Sequence, residues 1–192
     1  MRVISGTAKR RKLFSVPGTG TRPITDRVKE ALFNILGPYI AGARMLDLFA
    51  GTGSVGIEAL SRGAAYVRFT DNSRAAVKTI RKNLQHCRLD DSTRADVRLV
   101  DAFAMLRLPA DQKFDYIYIA PPQYQRLWEK ALLTVDEHTE WLAEDGWVIA
   151  QIHPNEYRPL ALKHLEEFDQ RKYGSTVLVF YAPREENTQA EP

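Results

Sequence analysis

Short apolar runs alternate with amphipathic stretches along most of this chain. The apolar runs are four to six residues long and rich in aliphatic and aromatic side chains, which is typical of strands buried on both faces. The amphipathic stretches repeat apolar residues at helical spacing. The predicted strands are residues 45–49, 66–70, 97–100, 114–119 and 147–152, and the predicted helices between them are residues 54–62, 73–87, 102–106 and 127–142.

The two ends of the chain depart from this alternation. Near the start, Thr25 can cap a helix that Gly37 and Pro38 stop. After a predicted helix at 159–165, two apolar runs at 168–173 and 176–181 flank a Gly-Ser pair, which is a hairpin signal. We therefore expect an α/β fold with a doubly wound, mostly parallel sheet of seven strands and a C-terminal antiparallel hairpin.

A glycine turn follows the first predicted strand. Residues 45–56 read MLDLFAGTGSVG, and Gly51, Gly53 and Gly56 match the G-x-G-x-x-G spacing of dinucleotide sites. Glycines let a backbone pass close beneath a ligand because no Cβ intervenes. This turn alone is compatible with a nicotinamide cofactor, with S-adenosylmethionine, or with a purely structural role.

Acidic residues at the ends of three successive predicted strands favour S-adenosylmethionine. Asp47 precedes the glycines, where a carboxylate can hold the methionine moiety of a cationic sulfonium but would repel a pyrophosphate. Asp71 lies at about the 20-residue offset at which an acid takes ribose hydroxyls. Asp101 can accept from the adenine amine while Phe103 covers the ring, although any one of these acids could instead be a strand-end cap. The predicted cofactor-binding residues are Asp47, Phe49, Ala50, Gly51, Gly53, Asp71, Asn72, Asp101, Ala102 and Phe103.

The amino-terminal segment is basic although the whole chain is nearly balanced. The chain has 27 Lys and Arg against 24 Asp and Glu, but eight of the basic residues and only one acid, Asp26, lie within residues 1–29. Such an arm attracts phosphate backbones, and the alternative is a solvated, flexible terminus. A basic helix stripe at Arg74, Lys78, Arg81 and Lys82 could assist, although such a stripe is more often a solvated face. The predicted phosphate contacts of the arm are Arg2, Lys9, Arg10, Arg11, Lys12, Arg22 and Arg27.

Composition excludes several other classes. A chain of 192 residues suits one core, Cys87 is the single cysteine, and the four histidines lack metal-ligand spacing. No apolar run approaches the length of a membrane span, and the start lacks a signal peptide. We expect a cytoplasmic monomer without a metal or membrane partner.

The loop after the fourth predicted strand carries the candidate chemistry. Residues 120–124 read APPQY, and the two prolines stiffen the loop and fix the direction of its backbone carbonyls. Transfer of a methyl group to a base amine needs acceptors that grip the amine and an aromatic platform for the base. The predicted catalytic residues are Ala120, Pro121, Pro122, Gln123 and Tyr124.

The chain resembles the RsmD family of 16S ribosomal RNA guanine-N2 methyltransferases. The resemblance rests on residues 2–6 (RVISG), 21–36 (TRPITDRVKEALFNIL), 46–60 and the Arg-Gly pair at 62–63. It implies a Rossmann-like class I fold that uses S-adenosylmethionine, with 16S rRNA or an assembling small ribosomal subunit as partner. It also implies that the basic arm contacts RNA. We accordingly divide the chain into an RNA-contacting arm and helix at 1–37, a methyltransferase domain at 38–183 and a flexible tail at 184–192.

Two positions depart from the family pattern. Position 10 is Arg where the family has glycine, which adds to the basic arm. Position 120 is Ala where the family has an acidic or amide side chain, and Gln123 displaces the aromatic by one residue. Loss of that acceptor leaves open a noncatalytic RNA-binding or assembly factor as the alternative, with a nicotinamide oxidoreductase as a more distant one.

Overall fold

The computed structural model describes residues 1–18 and 24–185 and confirms the predicted α/β architecture. Strands and helices alternate from β1 to β5, and a β-hairpin follows. Three short 3-10 segments connect them, at Gly37–Ile40, Thr139–Trp141 and Pro154–Glu156. The elements in chain order are α1 (Asp26–Leu36), β1 (Arg44–Asp47), α2 (Ser54–Ser61), β2 (Tyr66–Asp71), α3 (Arg74–Cys87), β3 (Ala95–Leu99), α4 (Ala102–Leu106), β4 (Phe114–Ile119), α5 (Leu127–Glu137), β5 (Leu142–Ile152), β6 (Leu165–Tyr173) and β7 (Thr176–Pro183).

The seven strands form one sheet in the order β3-β2-β1-β4-β5-β7-β6. The strands β1 to β5 pair in parallel, whereas β7 pairs antiparallel with both β5 and β6. Alternate residues of the central strands enter two separate buried clusters: Met45 and Tyr118 belong to one, Leu46 and Ile117 to the other. Because both faces are covered, the parallel strands need apolar side chains at almost every position, which is the pattern seen in the sequence.

The strand order places a crevice at the carboxyl end of β1. β1 lies between β2 and β4, so the chain winds outward in opposite directions from this point. Asp47 is in register with Phe69 of β2 and with Tyr118 of β4. The three strand ends are therefore side by side, and open α/β sheets bind their ligands at such a switch point.

The amino-terminal segment packs against α2 and α3, so the interpretation of residues 1–18 as a flexible terminus is wrong. Val3, Ala8 and Leu13 are buried in the same cluster as α1 and α2. Arg2 and Lys12 form an isolated antiparallel bridge, which folds the segment back on itself. The segment is held in place by backbone hydrogen bonds as well as by apolar contact.

A buried ion pair fastens this segment to the core. Lys29 and Glu58 are fully buried with their charged atoms 3.5 Å apart. The Glu58 carboxylate also accepts hydrogen bonds from the backbone N–H groups of Ile4 and Ser5, and Lys29 Nζ donates to the carbonyl of Arg2. Lys29 was counted among the basic residues of the arm, but its burial keeps it away from any phosphate.

Two sequence predictions are corrected by tertiary contacts. Residues 159–164 form no helix, because the buried carboxylate of Asp136 accepts the backbone N–H groups of Lys163, His164 and Leu165 at 2.7–2.8 Å. The helix predicted at 127–142 ends at Glu137 instead. There the buried indole of Trp141 donates to the carbonyl of Leu106, and Leu142 already belongs to β5.

Candidate functional site

A cavity of about 780 Å³ opens at the carboxyl ends of β1, β2 and β4. This volume lies within the range of small-molecule sites. Of the ten residues predicted to bind a cofactor, Gly53 lies in the turn before α2 and does not line the cavity. The other nine line it: Asp47, Phe49, Ala50, Gly51, Asp71, Asn72, Asp101, Ala102 and Phe103.

The glycine turn is a tight connection between β1 and α2. Gly51 and Gly53 adopt φ angles of 55° and 76°, a region that residues with a Cβ rarely enter. A Cβ on Gly51 would meet no atom within 4 Å, so the backbone there is open to a ligand. A Cβ on Gly56 would lie 2.3 Å from the ring of Phe69, so this third glycine serves close packing of α2 on the sheet.

The carboxylate of Asp47 is buried without a cation. Gly56 N–H donates to it at 3.2 Å, and no basic side chain among the described residues forms an ion pair with it. Burial raises the pKa of Asp47 to about 7, and the nearby charge of Asp71 adds to the rise, while the Gly56 hydrogen bond opposes it. A cationic ligand in the cavity would therefore interact favourably with this group.

The other two acidic strand ends keep acceptor capacity. The two oxygens of Asp71 accept from the N–H groups of Gly51 and Ser73 at 2.9 and 2.8 Å. Asp101 caps α4 by accepting from Ala104 N–H at 2.8 Å. Each ionised carboxylate can accept further hydrogen bonds, so these contacts orient the acids without saturating them.

Aromatic and basic side chains form the wall next to Asp101. The rings of Phe49 and Phe103 contact edge to face with centroids 5.9 Å apart. Lys130 Nζ lies 4.2 Å from the centroid of Phe103 and also lines the cavity. Lys130 was not predicted as a site residue, because the residue spacing of α5 does not indicate which of its exposed side chains faces the cavity.

The Pro-Pro loop contributes only part of its predicted residues to the cavity. Ala120 and Pro122 line it, whereas Pro121, Gln123 and Tyr124 do not. Tyr124 is 68% exposed, its N–H donates to Glu156 at 2.6 Å, and its ring lies 5.5 Å from that of His153. The structure thus holds the predicted stacking residue outside the cavity.

Several lining residues were not found from the sequence. Tyr118 and Gln151 come from β4 and β5, and strand alternation together with the register of these strands places them on the face of Asp47. The remaining lining residues that the sequence analysis did not select are Ser15, Val16, Ile24, Leu48, Thr52, Ser54, Val55, Ser73, Ala76, Val100, Gln125 and Leu127. Ser15 and Val16 bring the amino-terminal segment to the cavity wall, which no local pattern predicts.

The described residues predicted to contact RNA lie in the amino-terminal segment and at Arg27 of α1. Lys9, Arg10, Lys12 and Arg27 are exposed. Arg2 pairs with Asp26 at 3.1 Å, and the Arg11 guanidinium donates to the carbonyl of His86, so both are partly engaged within the protein. Arg22 lies outside the described residues.

The stripe on α3 joins this basic surface. Arg74, Lys78, Arg81 and Lys82 are exposed, and Lys82 Nζ lies 3.8 Å from the ring centroid of Phe14.

Within residues 1–18 and 24–185, no group of three His, Cys, Asp or Glu side chains could hold a metal ion. None of the helices in these ranges is long and apolar enough to cross a membrane.

Comparison with known proteins connects the chain to ribosomal RNA methyltransferases. The family model described as "Conserved hypothetical protein 95" matches residues 1–182. The Bacillus subtilis (strain 168) protein YlbH is 41% identical over 186 residues, which cover 96% of this chain and 100% of that protein. A Haemophilus influenzae protein named "Ribosomal RNA small subunit methyltransferase D" is 38% identical over 152 residues, which cover 79% of this chain and 78% of that protein.

The fold is likewise similar to solved structures. The structure of the Escherichia coli protein yhhF superimposes with a TM-score of 0.81 at 31% sequence identity. The match covers 95% of this chain and 97% of that chain. The similarity therefore includes the amino-terminal segment and the C-terminal hairpin as well as the central sheet.

Proposed function

Since the chain belongs to the RsmD family of small-subunit ribosomal RNA methyltransferases, as its sequence predicted, we propose that it methylates the exocyclic N2 of a guanine in 16S ribosomal RNA, using S-adenosylmethionine. The observation that carries this proposal is the buried carboxylate of Asp47 at the wall of the cavity, which pairs with no basic side chain of residues 1–18 and 24–185. S-adenosylmethionine is a cation and supplies the methyl group. A pyrophosphate-bearing nicotinamide cofactor would meet repulsion there instead.

The residues of the cavity fit that cofactor along its length. Asp47 would hold the methionine moiety, and Gly51 offers open backbone beside it. Asp71 would accept hydrogen bonds from the ribose hydroxyls, and the side-chain amide of Asn72 can accept from them or donate to them. Asp101 would accept from the adenine amine, while Phe103 packs against the ring face.

The Pro-Pro loop would hold the target guanine. The carbonyls of Ala120 and Pro121 are candidate acceptors for N2, and Pro122 stiffens the loop beside the cavity. Positioning of the amine against the methyl group does most of the catalytic work in such a transfer. For Tyr124 to stack on the base, the loop must turn inward and release the hydrogen bond from its N–H to Glu156.

The basic surface would bind the RNA backbone. We propose that residues 1–37 and the stripe on α3 contact phosphates, that residues 38–183 hold the cofactor and catalyse, and that the protein acts as a monomer in the cytoplasm. Residues 186–192 of the proposed tail lie outside the described residues, whereas Arg184 donates to the carbonyls of Leu162 and Leu165.

Two experiments test the proposal. Small ribosomal subunits that lack the modification are incubated with tritiated S-adenosylmethionine, and the labelled nucleotide is mapped; the proposal expects label on one guanine. Calorimetry then compares Asp71→Ala with Asp169→Ala, an acid of the edge strand β6. Only Asp71→Ala should weaken cofactor binding. Cofactor binding with no methyl transfer to any ribosomal RNA would favour the noncatalytic RNA-binding factor.

Tyr124 is tested separately because it lies outside the cavity. Tyr124→Ala should lower turnover by roughly tenfold, since base-aromatic stacking is worth about 1–3 kcal/mol per base. Cofactor affinity should stay unchanged. An unchanged turnover would mean that Tyr124 remains outside during the reaction and that another group covers the base.

A further inference from the structure

The side chain of Gln151 lies next to the position where the family's acidic or amide acceptor is replaced by Ala120. Ile119 of β4 and Ala150 of β5 are register partners, so Ala120 and Gln151 are neighbours one step further along two parallel strands. Adjacent parallel strands lie about 4.8 Å apart. Both residues line the cavity, and the small side chain of Ala120 leaves room for the longer one of Gln151.

Strand alternation places Gln151 on the face of the sheet that carries Asp47. Asp47 and Tyr118 are register partners, and Tyr118 and Ala120 point to the same face because they are two residues apart. Ile149 of β5 is the register partner of Tyr118 and points to the same face. Gln151 lies two residues further along β5, so it points to that face as well. Gln151 therefore projects into the part of the cavity between Asp47 and the Pro-Pro loop.

A hydrogen bond orients the amide of Gln151. The hydroxyl of Tyr118, which is itself buried, donates to Oε1 of Gln151. An amide oxygen has two acceptor sites, so this bond leaves one for a ligand. Gln151 lines the cavity, whereas Gln123 and Tyr124 of the loop do not.

We propose that Gln151 positions the target guanine by accepting a hydrogen bond from its N2 amine, in place of the side chain that position 120 lacks. This inference rests on the proposed methyl transfer. The N2 lone pair forms the new bond to the methyl carbon as the carbon–sulfur bond breaks and its electron pair stays on sulfur. The neutral amide keeps the amine oriented but does not take its proton, which passes to water.

The test compares Gln151→Leu, which removes the acceptor at similar volume, with Gln170→Leu, the same change on the edge strand β6. Gln151→Leu should lower methyl transfer to unmodified small subunits about tenfold, as expected for one lost hydrogen bond in a site. Its affinity for S-adenosylmethionine should stay unchanged. Gln151→Glu keeps the acceptor oxygens and should retain the parent's turnover or exceed it.

A binding measurement separates positioning from general structural damage. Each protein, loaded with S-adenosylhomocysteine, is titrated with two RNA oligonucleotides that carry guanosine or inosine at the mapped nucleotide. Inosine lacks the N2 amine, so the parent and Gln170→Leu should prefer guanosine several-fold. Gln151→Leu should show a clearly smaller preference, because the carbonyls of Ala120 and Pro121 are then the remaining candidate acceptors for N2.

The outcomes distinguish failure of the role of Gln151 from failure of the proposed methyl transfer. If the parent methylates subunits but Gln151→Leu keeps both its turnover and its preference for guanosine, the role of Gln151 is overturned and the proposed function stands. If Gln151→Leu weakens cofactor binding as much as turnover, its role is structural and the inference is also overturned. If the parent transfers no methyl group at all, the proposed function fails and this role fails with it.

Discussion

Replacement of Asp47 by Asn should stabilise the protein while weakening its cofactor binding. The carboxylate is buried and pairs with no basic side chain in the part of the chain that the structure describes, and its pKa is raised from 3.8 to about 7. This difference corresponds to about 4 kcal/mol of unfavourable free energy for keeping the group ionised in the folded protein. The Asn side chain carries no charge and can still accept the hydrogen bond from Gly56 N–H. The stabilisation should therefore approach 4 kcal/mol at pH 8.

The sign of the pH dependence follows from the direction of the shift. Because the folded-state pKa of Asp47 is raised, the group's contribution to stability is fully present below about pH 4 and is lost as pH rises through about 7. The free energy of unfolding of Asp47→Asn should thus equal that of the parent near pH 4 and exceed it progressively up to pH 8. Urea titrations at several pH values measure this difference directly.

Asp90→Asn provides the matched control, since Asp90 is an exposed carboxylate in the loop after α3. Its stability should follow the parent's pH profile. Calorimetry should show that the parent binds S-adenosylmethionine more tightly as pH rises through 7, because the ionised carboxylate attracts the cation, and that Asp47→Asn lacks this rise. A stability difference between parent and Asp47→Asn that is the same at pH 5 and pH 8 would refute the reasoning.

Three further predictions concern the amino-terminal segment. Arg10 has a φ of 71°, so Arg10→Gly should raise the free energy of unfolding in urea by about 0.5–1 kcal/mol; a loss of stability would contradict the backbone argument. The double variant Lys9→Ala and Lys12→Ala should make the logarithm of the RNA-binding constant fall less steeply with the logarithm of the salt concentration, by the equivalent of about two phosphate contacts, and should leave cofactor affinity unchanged. An unchanged slope would mean that these residues do not contact RNA. Glu58→Ala should lower the free energy of unfolding by about 3–5 kcal/mol because it leaves Lys29 buried without its partner, whereas stability close to the parent's would mean that the segment does not depend on this ion pair.

Local patterns determined the parts of this protein that depend on residues close together in the sequence. Strand runs, helix spacing and the Gly-Ser turn predicted the sheet and its C-terminal hairpin, because hydrophobic periodicity follows directly from which face is buried. The strand ends at Asp47, Asp71 and Asp101 were identified for the same reason: they follow apolar runs, and parallel strands bring their carboxyl ends to one edge.

Tertiary contacts decided what no local pattern contains. The burial of Lys29 depends on Glu58, and the loss of a helix at 159–164 depends on Asp136, each from a separate part of the chain. The outward position of Tyr124 likewise depends on Glu156 and His153. These partners lie 27 to 32 residues apart in the sequence, so no local pattern connects them.

The cavity also combines residues that local patterns predict with residues that only contacts between distant parts of the chain bring there. The resemblance to the family indicated a missing acceptor at Ala120, but it did not indicate what stands beside it. Only the pairing of β4 with β5 brings Gln151 to that position, and only the hydroxyl of Tyr118 orients its amide. Register between strands is set by packing and hydrogen bonds across the whole sheet. Local sequence therefore predicts the chemistry of the strand ends, but which side chains meet there depends on the pairing of strands that are distant in the chain.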